Sequence, residues 1–240
     1  MRLPTTFVPV VALAVLGGCA TGPDSDPRDP LEPLNRAVYS FNNDLLDQTI
    51  LKPVAEMYHH VLPDPVTERV TNFFNNLGDV AVTANDLLQG NPKQALQDGT
   101  RFVYNSTFGL GGLFDVATSW DLPKHHADFG QTLGYWGIGS GPYLVVPFVG
   151  SRTVRDAMGL VTDSTLNPVY QIQPSAVLDG VLVLDAVDTR ANLLGAGRVL
   201  EEAAFDPYLF VRDAYLQHRD NLVHEAQQAH DATPISAPSK

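Results

Sequence analysis

The chain has one cysteine among 240 residues, a shortage of basic side chains, and no catalytic signature that survives inspection. Each shortage excludes something. A single thiol cannot close an internal disulfide, so stability has to come from burial alone. With 15 Lys and Arg against 27 Asp and Glu the formal charge is −12, which repels nucleic-acid phosphates and makes nucleic acid a poor partner. Anionic lipid headgroups are repelled on the same grounds, so membrane contact should be apolar or carried by an acyl chain. Past the N-terminal leader, no apolar run reaches the roughly 18 residues of a spanning helix. A Gly-x-Ser-x-Gly elbow is missing, because Gly139-Ser140-Gly141 has the wrong spacing and Pro142 follows it. Gly109, Gly111 and Gly112 make half a dinucleotide loop without its third glycine. His59-His60 and His125-His126 with Asp128 are the candidate metal ligands. Adjacent histidines point in different directions on a helix, and no His-x-x-x-His spacing occurs. Neither a metal site, a cofactor nor an enzyme is expected.

What is present begins at the N-terminus. Arg2 precedes the apolar stretch "FVPVVALAVL" (Phe7–Leu16), and small residues then lead to Cys19, the layout of a secretory signal peptide. Leu16-Gly17-Gly18-Cys19 resembles the lipobox of bacterial lipoproteins, in which the cysteine receives a diacylglycerol and, after cleavage, an acyl chain on its amine. Buried methylenes at about 0.8 kcal/mol each would make such an anchor permanent. Cleavage before Cys19 would also remove Arg2, lowering the formal charge from −12 to −13. Ala20, where an aspartate would resemble an inner-membrane retention signal, points to the outer membrane. The expected organisation is a signal peptide over 1–18, an acylated tether over 19–28, one domain over 29–226, and a disordered tail over 227–240.

Helical periodicity fills the middle. Val66, Val70, Phe73, Phe74, Leu77, Val80, Ala81, Ala84, Leu87 and Leu88 trace one face for over six turns. Gly90 should end that helix, and Asn91-Pro92 should open the next. Further stripes run through Leu34, Val38, Phe41 and Leu45, through Val54, Met57, Tyr58, Val61 and Leu62, through Val177, Val181, Leu184, Ala191 and Leu194, and through Tyr208, Val211, Tyr215 and Leu222 behind Asp206-Pro207. Strand evidence is thin, since "YLVVPF" contains a proline and has no convincing partner. The expected class is all-α, interrupted by a long irregular insert, about Gly109–Arg152, rich in glycine and aromatics. Such an insert suits a surface facing lipid or a partner. Within it Gly137, Gly139 and Gly141 are candidate hinge points, bracketed by Tyr135, Trp136 and Tyr143.

Several blocks together carry a family resemblance. "DPLEPLNRAVYSFNNDLLDQTILKPVAEMY" (Asp29–Tyr58), "NFFNNL", "LQGNPKQA", "RFVYNSTFGLGGLFDVA", "DFGQTLGYWGIGSGPYLVVPFVGSRTVRD", "DTRANLL" and "DPYLFVRDAYLQHR" follow in order across about residues 29–220. The set resembles the MlaA (VacJ) lipoprotein family. The resemblance implies a ring-like assembly of amphipathic helices in the inner leaflet of the outer membrane, lipid-anchored and on the periplasmic side. Its central amphipathic channel would admit mislocalised outer-leaflet phospholipid and so maintain lipid asymmetry. The implied partners are phospholipid, a trimeric outer-membrane porin and a soluble periplasmic lipid carrier. Asn35, Arg36, Asn42, Asn43, Asn85, Arg101, Asn105 and Arg155 are the candidate channel-lining polar groups. Each has an ordinary alternative as a cap or an internal hydrogen bond. Two other functions stay open: a scaffold lipoprotein in a porin or envelope complex, and a lipid-acting hydrolase with a Ser or Asp nucleophile.

Overall fold

The computed structural model describes residues 26–231. Cys19, the signal peptide and the last nine residues lie outside them. Helix α1 (Glu32–Ser40) runs directly into a π-helical stretch, Phe41–Leu51, and then into α2 (Lys52–Val61). A long pair follows, α3 (Asp64–Leu88) and α4 (Pro92–Thr107), packed along each other. Gly90 turns the chain with φ 71°, and the Asn91 side chain accepts the Gln94 amide at 3.2 Å to cap α4. After the short α5 (Phe129–Tyr135) come strands β1 (Tyr143–Val146) and β2 (Gly150–Thr153), then α6 (Val154–Leu166), α7 (Ser175–Asn192), α8 (Leu194–Ala203) and α9 (Pro207–Asp231). None of the described helices is long and apolar enough to cross a membrane.

The all-α class holds, with two local departures. The insert is not wholly irregular: it contains α5 and an antiparallel hairpin in which Tyr143 faces Thr153 and Val146 faces Gly150. Pro147 falls in the turn rather than in the strand, so the residue that argued against a strand is what terminates it. Nor does helix stop at the expected tail, because α9 continues through 227–231. At the other end Asp29 is fully buried, held by Asn35, Tyr208 and Arg212.

The distribution of polarity decides what kind of molecule this is. Among the described residues thirteen apolar side chains are buried, five of them alanine, against eighteen polar or charged ones. Thirty-two large apolar side chains are exposed. The buried polar and charged groups are the informative part, since single exposed apolar side chains are common on any protein surface. Conventional apolar packing is confined to a small cluster of Tyr143, Val145, Tyr208 and Leu216, with Val38, Tyr39, Leu209 and Tyr215 against it. Elsewhere ion pairs and amides hold the helices. Arg101 on α4 donates to Asp115 at 3.0 Å and lies 3.6 Å from Asp79 on α3, which Lys124 also contacts. Burial outweighs those cations and pushes the Asp79 carboxyl up. Arg219 on α9 joins Asp128 to Asp156 on α6. Burial opposes the charged form of Asp156, yet Arg219 and the Tyr215 hydroxyl bring it below its ordinary value. Buried charges of this kind persist only where each is paired.

Candidate functional site

The site is built from one side-chain type used twice. Asn35 on α1 donates its amide to the Tyr143 carbonyl at 3.0 Å and accepts the Val145 amide at 2.9 Å. Asn42 in the π-helical stretch repeats the grip farther along, donating to Val146 O and accepting Phe148 N–H, both at 2.9 Å. An asparagine side chain offers one donor and one acceptor, the pair that an unpaired strand edge presents. The second asparagine fixes the hairpin turn, where Phe148 adopts φ 65°. A positive φ is rare for so bulky a side chain. Phe148 is 78% exposed and meets Phe41 edge-to-face at 5.6 Å.

Between the π-helical stretch and the hairpin lies an open cavity of about 580 Å³. Its polar side is Asn42, Asn43 and Asp47, and its apolar side is Ile50, Leu51, Phe148, Val149 and Leu193. A second space of about 420 Å³ adjoins it, sharing Tyr39, Asn43, Asp47, Leu193 and Val211 and running on to Arg190, Leu200 and Phe210. The two form one amphipathic groove. At its centre Arg190 clasps Asp47 side-on, donating from Nε and Nη2 to the two carboxylate oxygens at 2.6 and 2.9 Å. That arrangement neutralises the charge while leaving the groove polar on one side. Burial, then the Asp44 charge, pushes the Tyr39 hydroxyl up, so it stays neutral beside the groove. The volumes are those of small-molecule sites. The arrangement fits a ligand with a polar head and apolar tails.

Of the eight polar candidates the structure brings Asn42 and Asn43 to this groove. The other six make internal contacts. Asn35 holds β1, and Arg36 pairs with Glu32 and Asp206. Asn85 joins α3 to Asp163 and Thr132. Arg101 and Asn105 share Asp115. Arg155 contacts Asp156 and the Ile138 carbonyl. Sequence reading did not single out Asp47, Arg190 or Phe148. Their signal is weak, since the Asp47–Arg190 pair spans 143 positions.

The candidate hinge glycines separate into two kinds. Gly137 and Gly141 have φ 87° and 66°, a conformation that side chains rarely adopt. Gly139 has no such requirement, and a Cβ there would meet open space. Hydrogen bonds pin the chain on both sides of it, from Ile138 N–H to Leu133 O at 2.9 Å and from Arg155 N–H to Ser140 O at 3.1 Å. Of the histidines, His59 and His60 line an exposed surface pocket with Lys52, Glu56 and Arg198. Asp128 joins none of them, since it caps α5 and pairs with Arg219.

A family model of the MlaA lipoproteins matches residues 27–222, from just before the buried Asp29 to Leu222 within α9. The chain belongs to the MlaA lipoprotein family. It is 38% identical over 224 residues to the intermembrane phospholipid transport system lipoprotein MlaA of Escherichia coli K12, covering 92% of this chain and 88% of that one. The Haemophilus influenzae protein of the same name is 31% identical over 234 residues, covering 95% and 93%. A solved structure reported as "Structural basis for maintenance of bacterial outer membrane lipid asymmetry" superposes with a TM-score of 0.72 at 36% identity, covering 81% of this chain and 98% of that one. The blocks that carried the resemblance fall where the groove and its supports are built. The first and the fifth supply the two asparagines and the hairpin they grip.

Proposed function

We propose that this MlaA-family chain is an outer-membrane lipoprotein, anchored through Cys19 on the periplasmic side, that moves phospholipid and does no catalysis. Lipid misplaced in the outer leaflet would enter the groove and pass to a soluble periplasmic carrier, beside a trimeric porin, preserving outer-membrane asymmetry. The observation that carries this reading is the amphipathic groove, set in a molecule that exposes many large apolar side chains and buries many polar and charged ones. A headgroup needs polar company throughout its passage, because its charge is costly to strip of solvation. Asn42, Asn43 and the Asp47–Arg190 pair offer that company, and Ile50, Leu51 and Val149 accept the tails. The names of the Escherichia coli and Haemophilus influenzae relatives agree with this assignment.

The test is lipid occupancy. Protein extracted in detergent, washed and analysed by mass spectrometry should retain phospholipid, and Leu51→Trp or Val149→Trp should expel it. Cells carrying either variant should accumulate amine-labelled phospholipid on their surface. Wild-type protein free of phospholipid, or filled-groove variants with normal surface lipid, would overturn the reading.

A further inference from the structure

Away from the groove, three chemistry-bearing side chains meet that no local pattern connects. Asp86 lies near the end of α3, Asp98 lies on α4, and His125 lies in the extended segment that leads to α5. The two carboxylates are 1% and 0% exposed. His125 Nδ1 stands 3.2 Å from Asp98 Oδ2 and 3.7 Å from Asp86 Oδ1. One ligand atom from each residue falls within 4.8 Å of the others. Asp86 Oδ2 and Asp98 Oδ1 are buried and lack any hydrogen-bond partner.

Two buried carboxylates side by side are an expensive arrangement. The surroundings compensate one of the two: burial opposes the charged form of Asp98, yet hydrogen bonds with His125, Gln94 and Asp86 bring it below its ordinary value. Gln94 donates to Asp98 Oδ2 at 2.9 Å, while nearby Lys124 is spent on Asp79 and the Asn75 carbonyl. The crowding shows in proton affinity: burial first, then the facing Asp98, pushes the Asp86 carboxyl up to about 8.

We propose that Asp86, Asp98 and His125 form a binding site for one divalent cation of the zinc class. The spacing fits. Ligand atoms about 2.0–2.2 Å from zinc at tetrahedral angles stand about 3.3–3.5 Å apart, close to the two separations from His125 Nδ1. One imidazole with two carboxylates is a borderline donor set that zinc accepts and magnesium, which prefers oxygen and water, does not favour. The Gln94 amide supplies the outer hydrogen bond that such ligands use for orientation. The His125 side chain is 38% exposed and gives the ion a way in from solvent. Binding would displace the proton between His125 and Asp98 and leave a fourth position for water. Because the three ligands come from α3, α4 and the segment after them, the role is a staple that fastens the 121–128 segment onto the α3–α4 pair. The proposal departs from the expectation that the histidines hold no metal, which rested on spacing within their own segment. It stands independently of the lipid reading.

The experiment uses the mature full chain in detergent, stripped with EDTA, dialysed, and titrated with ZnCl2. One zinc per chain should bind, and Tm should rise by about 5–10 °C when zinc reaches a hundredfold its Kd. Asp98→Asn and His125→Gln should each weaken binding at least tenfold. His125→Gln keeps the test open if the buried Asp98→Asn fails to fold. The double variant His59→Gln/His60→Gln should bind as the parent does, and MgCl2 alone should leave Tm unchanged. An identical Tm in zinc and EDTA would overturn the site. So would a zinc response that survives His125→Gln, one that disappears with His59 and His60, or one that magnesium reproduces. Asp86→Asn raising Tm in a parent indifferent to zinc would assign the pair to a shared proton instead.

Discussion

The α3–α4 side of the molecule and the groove side solve opposite problems. Around α3 and α4 the interior is ionic: Asp79, Arg101, Asp115 and Asn105 lock the two helices to the chain that follows them. Between α1 with its π-helical extension and the hairpin the direct links are the neutral amides of Asn35 and Asn42, and the space beside them is left open. A charged interior resists being pulled apart, because each ion separated from its partner is stranded in a poor solvent. A groove held at its edge by asparagine forks keeps its walls in place without filling the middle. The comparison teaches that rigidity and vacancy are assigned to different chemistry within one chain.

The sharpest way to break that division is to remove a buried charge. Arg101→Met leaves buried Asp79 with Lys124 alone and takes the guanidinium from Asp115, and should cost about 3 kcal/mol, read as a lower denaturation midpoint in detergent. Lipid retention would fall only as the fold is lost. Next comes acid sensitivity. The folded value of Asp156 lies below its unfolded one, so its contribution is complete above the ordinary carboxylate range and is lost as pH falls through the folded value. Asp156→Asn should therefore flatten the acid limb of a stability–pH curve. An unchanged limb would mean that other carboxylates set it.

On the groove side the expected effects on stability are smaller and those on function larger. Asn42→Ala removes two hydrogen bonds to the hairpin turn and should cost about 1 kcal/mol, with faster hydrogen exchange confined to residues 146–150. Smallest of all is Gly139→Val, within about 0.5 kcal/mol, since no positive φ and no neighbour opposes the side chain. Gly137→Val, at φ 87°, should cost more, about 1–2 kcal/mol. If Gly139→Val disturbs surface phospholipid while Tm holds, a bending role for that position stands. Normal surface lipid in a stable variant removes it.

How much of this was legible in the sequence depended on the range of the interaction involved. The α3–α4 boundary could be read because Gly90 and Asn91-Pro92 act on their immediate neighbours. The hairpin could not, because β2 is "GSRT", with no alternation to announce it, and the edge of β1 is satisfied by α1 rather than by a second apolar strand. The helical stripe through Leu34, Val38, Phe41 and Leu45 was visible, but the change to wider π turns at Phe41 leaves no mark on a 3.6-residue pattern. Polar residues were recognised as important and assigned to a lining. Arg101, Asn105 and Asn85 instead face each other's elements, and nothing in a local window distinguishes a wall from a seam. Asp47 and Arg190 escaped notice because their meaning lies entirely in their pairing.

The grips that shape the groove also set an order of events. Asn35 reaches across 108 positions to Tyr143, and Asp29 across 179 to Tyr208. Contacts so distant in the chain form late, since the long loops they close carry an entropic cost that local helices do not. The first residues of the domain to be made must wait for nearly the last before their side chains find partners. A chain halted before residue 208 would have α3 and α4 in hand and no clasp on Asp29. A chain halted before residue 143 would lack the hairpin wall of the groove. Readiness to take up a ligand is thus a property of the completed chain, and the groove cannot be loaded while the protein is still being delivered.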